Sequence, residues 1–247
     1  MRNRRRQPSP TLVSRSLLAL GFGDSLVLPA TPAIWYDGPN MTGGPIALSK
    51  GLRRLRKIVD SRFFKRWGSS ERKKAIWDQE FGAGDWRYLD STRDDPVYLY
   101  LARYCAGGTI LDLGCGSGNT ANELDDSAYC QYLGVDVSEK AIQMAIARSR
   151  RNGREAKNRY VCADIERFVP DARYEVVLFR ESLFYVPVSK VPQLLERYRE
   201  YLTKDGVFIV RVCSREKHRA IVRRIEQHYT VLESSPPTDS NVILVFR

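Results

Sequence analysis

Metal and disulfide chemistry have little to work with in this sequence. It contains two histidines, and its five cysteines, at 105, 115, 130, 162 and 213, form no C-x-x-C pair and no zinc-ligand spacing. Thiols spread in this way are expected to stay free in a reducing cytoplasm. No apolar run approaches the ~18 to 20 residues that cross a bilayer. Yet 43% of the 247 residues are hydrophobic, enough for one sizeable core with an extension attached.

Acidic charge is scarce in one part of the chain only. Residues 1–80 hold 16 Lys plus Arg against 6 Asp plus Glu, whereas residues 81–247 hold 24 against 23. The overall net charge of +11 therefore resides almost wholly in the N-terminal part. A site that works on RNA or DNA needs a basic surface around its mouth, so the near-neutral remainder argues against a nucleic-acid substrate. The basic arm keeps a nucleic-acid-directed protein as the alternative.

That arm divides. Residues 1–45, rich in Pro, Gly, Ser and Thr, are expected to be disordered. Arg2 to Arg6 followed by Leu17 to Ala30 imitates a secretory signal, but Asp24 breaks the apolar run; a translation start at Met41 is the plainer alternative. Residues 46–92 form an amphipathic helix and a cap segment. Leu48, Leu52, Leu55, Val59, Phe63 and Trp67 recur at three- and four-residue spacing, with Arg53, Arg54, Arg56, Lys57, Arg62, Lys65 and Arg66 between them. Such a helix over 46–67 suits peripheral contact with an anionic membrane, or else packs its stripe on the domain as a cap, which is the expectation favoured here. Trp77, Phe81, Trp86 and Tyr88 then crowd a short segment with Gly82 and Gly84.

Residues 93–247 alternate strand and helix patterns. The run Ile-Leu-Asp112-Leu-Gly114-Cys115-Gly116-Ser-Gly118 is a buried strand entering a turn where the backbone must pass close to a ligand. A helix is expected from near Asn119, its first amides facing that ligand. Tyr132 to Val137 is a second apolar strand ending in the acid Asp136, followed by Ser138 as cap of a helix whose Ala141, Ile142, Ala145 and Ile146 share one face. Asn158 to Ala163 leads into Asp164-Ile165, and Tyr174 to Phe179 reads as a central strand buried on both faces. Further expectations are a helix from Gln193 to Leu202, a strand from Gly206 to Cys213, a basic helix from Glu216 to Gln227, and strands at Tyr229 to Ser234 and Val242 to Phe246. Without a helix between them, the last two should pair antiparallel at the sheet edge.

A G-x-G-x-G turn with a carboxylate two residues ahead, and acids ending the next two strands, resembles the class I S-adenosylmethionine (SAM) methyltransferases over roughly residues 76–247. The resemblance implies an α/β fold: a seven-stranded, mostly parallel, doubly wound Rossmann-like sheet with an antiparallel C-terminal hairpin. It implies S-adenosyl-L-methionine as cofactor and methyl transfer to an N or O atom of a small-molecule, saccharide or lipid-linked acceptor. By the same resemblance Asp112, Gly114, Cys115, Gly116 and Gly118 border the cofactor, and Asp136 with Val137 holds the ribose. Asp164 and Ile165 meet adenine, and Trp86 and Tyr88 wall the methionine part. Arg180 borders the cofactor, is structural, or holds a substrate carboxylate. Glu181 and Tyr185, in a Glu-Ser-Leu-Phe-Tyr run similar to a segment of the nodulation N-methyltransferases, are the candidate catalytic residues. His218 and His228 read as structural.

Overall fold

The computed structural model describes residues 59, 61–86, 91–236 and 241–247. The expected tail 1–45, Met41, residues 46–58 and Tyr88 lie outside the described residues. Helix α1 (61–67) and helix α2 (Ser70–Ala83) precede α3 (Val97–Cys105), whose Pro96 sits at the cap position and whose Val97 N–H donates to the Asp95 carboxylate at 3.1 Å. Strand β1 (Thr109–Leu113) is followed by α4 (Asn119–Glu123), β2 (Gln131–Asp136), α5 (Glu139–Arg151), β3 (Asn158–Cys162) and β4 (Tyr174–Arg180). Helix α6 (Val191–Arg199), β5 (Leu202–Val212), α7 (Arg219–His228), β6 (Val231–Ser234) and β7 (Val242–Phe246) complete the order.

The strands form one seven-stranded sheet in the order β3-β2-β1-β4-β5-β7-β6. The first five are parallel, and β7 pairs antiparallel with both β5 and β6. This is the Rossmann-like arrangement expected. Of the terminal pair, only β6 is the edge; β7, Val-Ile-Leu-Val-Phe, is buried at every residue because it lies between two strands.

Alternate side chains leave opposite faces of a strand, and the core divides accordingly. Leu111, Val177, Phe179, Leu244 and Phe246 face α6 and α7, meeting Leu195, Tyr198, Val222 and Ile225. Ile110, Val176, Leu178, Ile243 and Val245 face the other way onto Val97 and Leu101 of α3 and Ile142 of α5. Some details depart from expectation. Leu202 begins β5, paired with Tyr174, and does not end α6, which starts two residues early with Pro192 in its first turn. In α5 the Ser138 hydroxyl caps Ala141 N–H as expected, but Ser149 is buried while Ile146 is exposed. The 3.6-residue period carries the inward face from Ile142 through Ala145 to Ser149 and leaves Ile146 at its edge.

The described end of the N-terminal stripe, Val59 with Phe63 and Trp67, departs from the packing expected of it. Val59, Phe63 and Trp67 are 63%, 56% and 55% exposed and do not pack on the domain. Helix α1 instead turns Lys65 inward, where its ammonium meets Glu80 of α2 at 2.6 Å. One ion pair and its surroundings thus decide the rotation of a short helix against its apolar pattern. Helix α2, unanticipated as a helix, is defined at both ends: the Ser69 hydroxyl accepts from Arg72 N–H at 3.3 Å, and Gly84 closes it in a left-handed conformation. It lies against α5 through Asp78, which accepts from the Ser138 hydroxyl at 2.7 Å and from Lys140 N–H at 3.0 Å. Among the described residues no helix is long and apolar enough to cross a membrane.

This arrangement predicts that Trp67→Lys changes unfolding free energy by no more than about 0.5 kcal/mol, as for other exposed sites. Ile225→Ala, which empties a fully buried position, should cost about 2 to 5 kcal/mol. Urea titration of both variants checks it, and a large loss in Trp67→Lys would mean that the stripe is packed in solution.

Candidate functional site

The chain moves outward from β1 to β3 on one side and from β4 to β5 on the other. The loops leaving β1 and β4 therefore diverge, and a crevice opens beyond their carboxyl ends. Three glycines shape the first loop, each for a different reason. Gly114, at φ 91°, has no room for a side chain, because a Cβ there would lie 2.3 Å from Ser182 Cβ. The amides of Gly114 and Cys115 both donate to Val135 C=O, at 2.7 and 3.1 Å. Gly116, at φ 54°, faces open space: its Cβ would meet only the Phe81 ring, at 3.7 Å. Gly118 packs α4 on its neighbour, since its Cβ would fall 2.8 Å from Ala145 Cβ and 3.0 Å from the Tyr160 hydroxyl.

A cavity of about 550 Å³ fills the crevice, within the range of small-molecule sites. Gly114, Gly116, Asp136, Val137, Asp164, Ile165, Arg180, Glu181, Tyr185 and Trp86 all line it. Asp112 and Cys115 line an adjoining recess of about 150 Å³, shared with Gly114, Gly116, Arg180 and Glu181. Gly118 lines neither. The Cys115 thiol is packed close to Gly134 and buried, which raises its pKa well above the ordinary range.

Each acid is held differently. Asp136 accepts from Gly116 N–H and Ser138 N–H, both at 2.9 Å, so the carboxylate that borders the cavity also fixes the glycine turn. Burial lifts its pKa to about 6 against the pull of those amides. Asp112 accepts from the Tyr132 hydroxyl at 2.7 Å, and its other oxygen is buried with no hydrogen-bond partner among the described residues. Burial raises this group to about 6 as well. Asp164 accepts from Glu166 N–H at 2.9 Å and from the Ser70 hydroxyl of α2 at 2.7 Å.

At the far side, Arg180 donates to Asp95 at 2.8 and 3.2 Å and to the Tyr98 hydroxyl at 2.9 Å. Arg211, from the end of β5, pairs with both Asp95 and Glu181. Glu181 adopts φ 56°, a left-handed conformation that non-glycine residues hold only when their surroundings force it. Burial raises its carboxyl pKa, and Arg211 opposes the shift. A strained, half-desolvated glutamate is suited to exchanging a proton.

Several lining residues escaped the sequence reading. Lys65, Lys73, Trp77 and Phe81 come from the cap helices, and Arg211 and Cys213 from the end of β5. The carboxyl end of a predicted parallel strand was a signal for Arg211. The helical spacing of Trp77 and Phe81, with Ser69 ahead and Gly84 behind, was one for α2. His218 stacks on Phe184 with ring centres 4.2 Å apart, beside the cavity and not in its lining.

A family model described as a methyltransferase domain matches residues 110–206. The 27-O-demethylrifamycin SV methyltransferase of Amycolatopsis mediterranei is 27% identical over 119 residues, 45% of this chain and 44% of that protein. The mRNA cap guanine-N(7) methyltransferase of Cryptococcus neoformans is 27% identical over 120 residues, 43% of this chain and 19% of that protein. The chain thus spans less than half the length of either curated relative. Among solved structures, the N-methyltransferase NodS from Bradyrhizobium japonicum WM9, in complex with S-adenosyl-L-homocysteine, matches with a TM-score of 0.56. It is 17% identical, over 70% of this chain and 97% of NodS, and shows likeness of fold.

Two outcomes follow from the geometry. Gly114→Ala should lose about 2 to 4 kcal/mol of stability through its clash with Ser182 and its left-handed backbone, measured by denaturant unfolding. Asp112, raised from 3.8 to about 6, favours the folded state below about pH 4 and loses that contribution as pH rises through 6. The stability of Asp112→Asn relative to wild type should therefore grow by about 2 to 3 kcal/mol between pH 4 and pH 7. A difference that stays flat with pH would remove the buried charge from the account.

Proposed function

We propose that the chain is a class I SAM-dependent methyltransferase, that its crevice binds S-adenosyl-L-methionine and that it methylates an N or O atom of a small-molecule, saccharide or lipid-linked acceptor. The carrying observation is the convergence of Asp112, Asp136 and Asp164, from the ends of three successive strands, on one crevice that Gly116 leaves open.

The donor set fits such a cofactor. Asp136 has carboxylate lone pairs for two ribose hydroxyls beyond its two amide donors, and Val137 and Ile165 offer apolar surface for a flat ring. Asp164 accepts an adenine amino proton while keeping Ser70. In the adjoining recess, the unpartnered Asp112 oxygen suits an ammonium group and the Arg180 guanidinium a carboxylate, the two charges of a methionine moiety. When bound, the cofactor supplies an electrophilic methyl group and its own leaving group. The protein's share is orientation and exclusion of water. Cap helix α2 covers the crevice, Tyr185 positions the acceptor, and Glu181 accepts the proton that an acceptor nitrogen or oxygen must lose.

The same enclosure favours a small acceptor over a polymer, as does the near balance of charge over residues 81–247. Calorimetry should give micromolar affinity for S-adenosylhomocysteine, about −8 kcal/mol. Asp136→Ala should weaken that binding roughly 30- to 150-fold, about 2 to 3 kcal/mol, and Gly116→Val should abolish it while unfolding remains cooperative. Wild-type affinity in both variants would remove the crevice as the cofactor site.

A further inference from the structure

On the cap side of the main cavity, three aromatic rings gather around a buried lysine. Lys65 is 7% exposed, and its Nζ lies 3.8 Å from the centre of the Trp77 ring, 5.4 Å from Trp86 and 5.8 Å from Tyr185. All three distances fall within cation–π range. Glu80 accepts from the same Nζ at 2.6 Å and from Trp86 Nε1 at 3.2 Å, so its carboxylate is fixed by a recess wall. Trp77 and Tyr185 meet edge to face at 4.9 Å. The rings come from α2, from the turn after it, and from the turn after β4, and each borders the main cavity.

A surface helix gains nothing obvious by turning a lysine inward while Phe63 and Trp67 stay in water. Burial disfavours the charge and lowers the Lys65 pKa, with Glu80 opposing. Three ring faces and one anchored carboxylate are the elements that recognise an alkylammonium ion. We propose that the recess formed by Trp77, Trp86, Tyr185 and Glu80 is the acceptor subsite, that it takes an alkylammonium group of a small-molecule acceptor, and that Lys65 is a tethered occupant displaced when the acceptor binds. The inference rests on reading the crevice as the cofactor site, since it makes the space beside that site the place of the acceptor. It narrows the substrate to small molecules carrying an amine or quaternary ammonium group.

The test uses the full chain and tetramethylammonium chloride as probe, with tert-butanol as a neutral control of similar shape and sodium chloride holding ionic strength constant. Tryptophan fluorescence and calorimetry follow binding to wild type, Lys65→Ala, Lys65→Ser and Lys65→Ala/Glu80→Gln. Lys65→Ala and Lys65→Ser, which empty the recess, should bind the probe at least tenfold more tightly than wild type and should not respond to tert-butanol. Adding Glu80→Gln should cost tenfold or more. Saturating S-adenosylhomocysteine should not weaken probe binding by more than about threefold. Absence of probe binding in both single variants, equal response to tert-butanol, or indifference to Glu80→Gln overturns the cation recess. Competition between probe and S-adenosylhomocysteine gives the recess to the cofactor and overturns its assignment to an acceptor. Because cofactor affinity is measured separately in each variant, its loss with probe binding intact would fault the crevice reading and not the recess.

Discussion

Everything at the site depends on how closely the two diverging loops approach where they leave β1 and β4. Gly114 and Ser182 touch there so tightly that no Cβ fits on the first, and the Ser182 hydroxyl donates to Leu113 C=O, tying one loop to the other strand. With the seam closed at its base, the loops part only above it, which gives the crevice a floor. The same closure explains the backbone of Glu181, one residue before Ser182, held at φ 56° with its N–H on Arg211 C=O. Strain at Glu181 is thus a consequence of the seam, and it directs a carboxylate into the cavity. Asp136 does the complementary work on the other side, holding Gly116 and Ser138 by their amides.

The sheet and most of its ligand-facing edge were legible from the chain. Strands buried on both faces leave continuous apolar runs, and acids or glycines after such runs sit by geometry at the carboxyl edge. That logic places Asp112, Asp136, Asp164 and Glu181 at this edge from the sequence alone. It did not show that Gly118 clears Ala145, since spacing alone cannot distinguish a glycine that clears a ligand from one that clears a side chain. It erred at α1, where an apolar stripe records what a helix could bury and not what competes for the inward face. The competitor, Lys65, is answered by Glu80 fifteen positions on and by rings up to 120 positions away. Such partners are invisible to local periodicity.

The cap and the domain are joined by charge and hydrogen bonds as well as by the contact of Trp77 with Tyr185, and this affects how firmly the site is closed. Ser70 and Lys73 reach Asp164 and Glu166, and Lys74 reaches Glu139. Lys73 is buried in this contact, whereas Lys74–Glu139 is largely open to solvent and contributes little by itself. A lid held by ion pairs can release and re-form without exposing a large apolar area, unlike one held by a packed leucine face. Salt weakens the open pairs and hardly touches the buried one.

Asp164 links this latch to the ligand. Its carboxylate already serves Glu166 N–H and Ser70, so a ligand amino group arriving there joins an existing network and does not create one. Filling the crevice would therefore strengthen the hold of α2, and α2 carries Trp77 and Glu80, with Trp86 just beyond its end. Closing the lid on one ligand in this way orders the recess for a second. The coupling needs no conformational change in the sheet, only the firmer seating of a helix whose contacts on one end touch the adenine side and on the other the aromatic recess. On the proposed reading, the seating of α2 governs the order of the recess, because Trp77 and Glu80 stand on that helix.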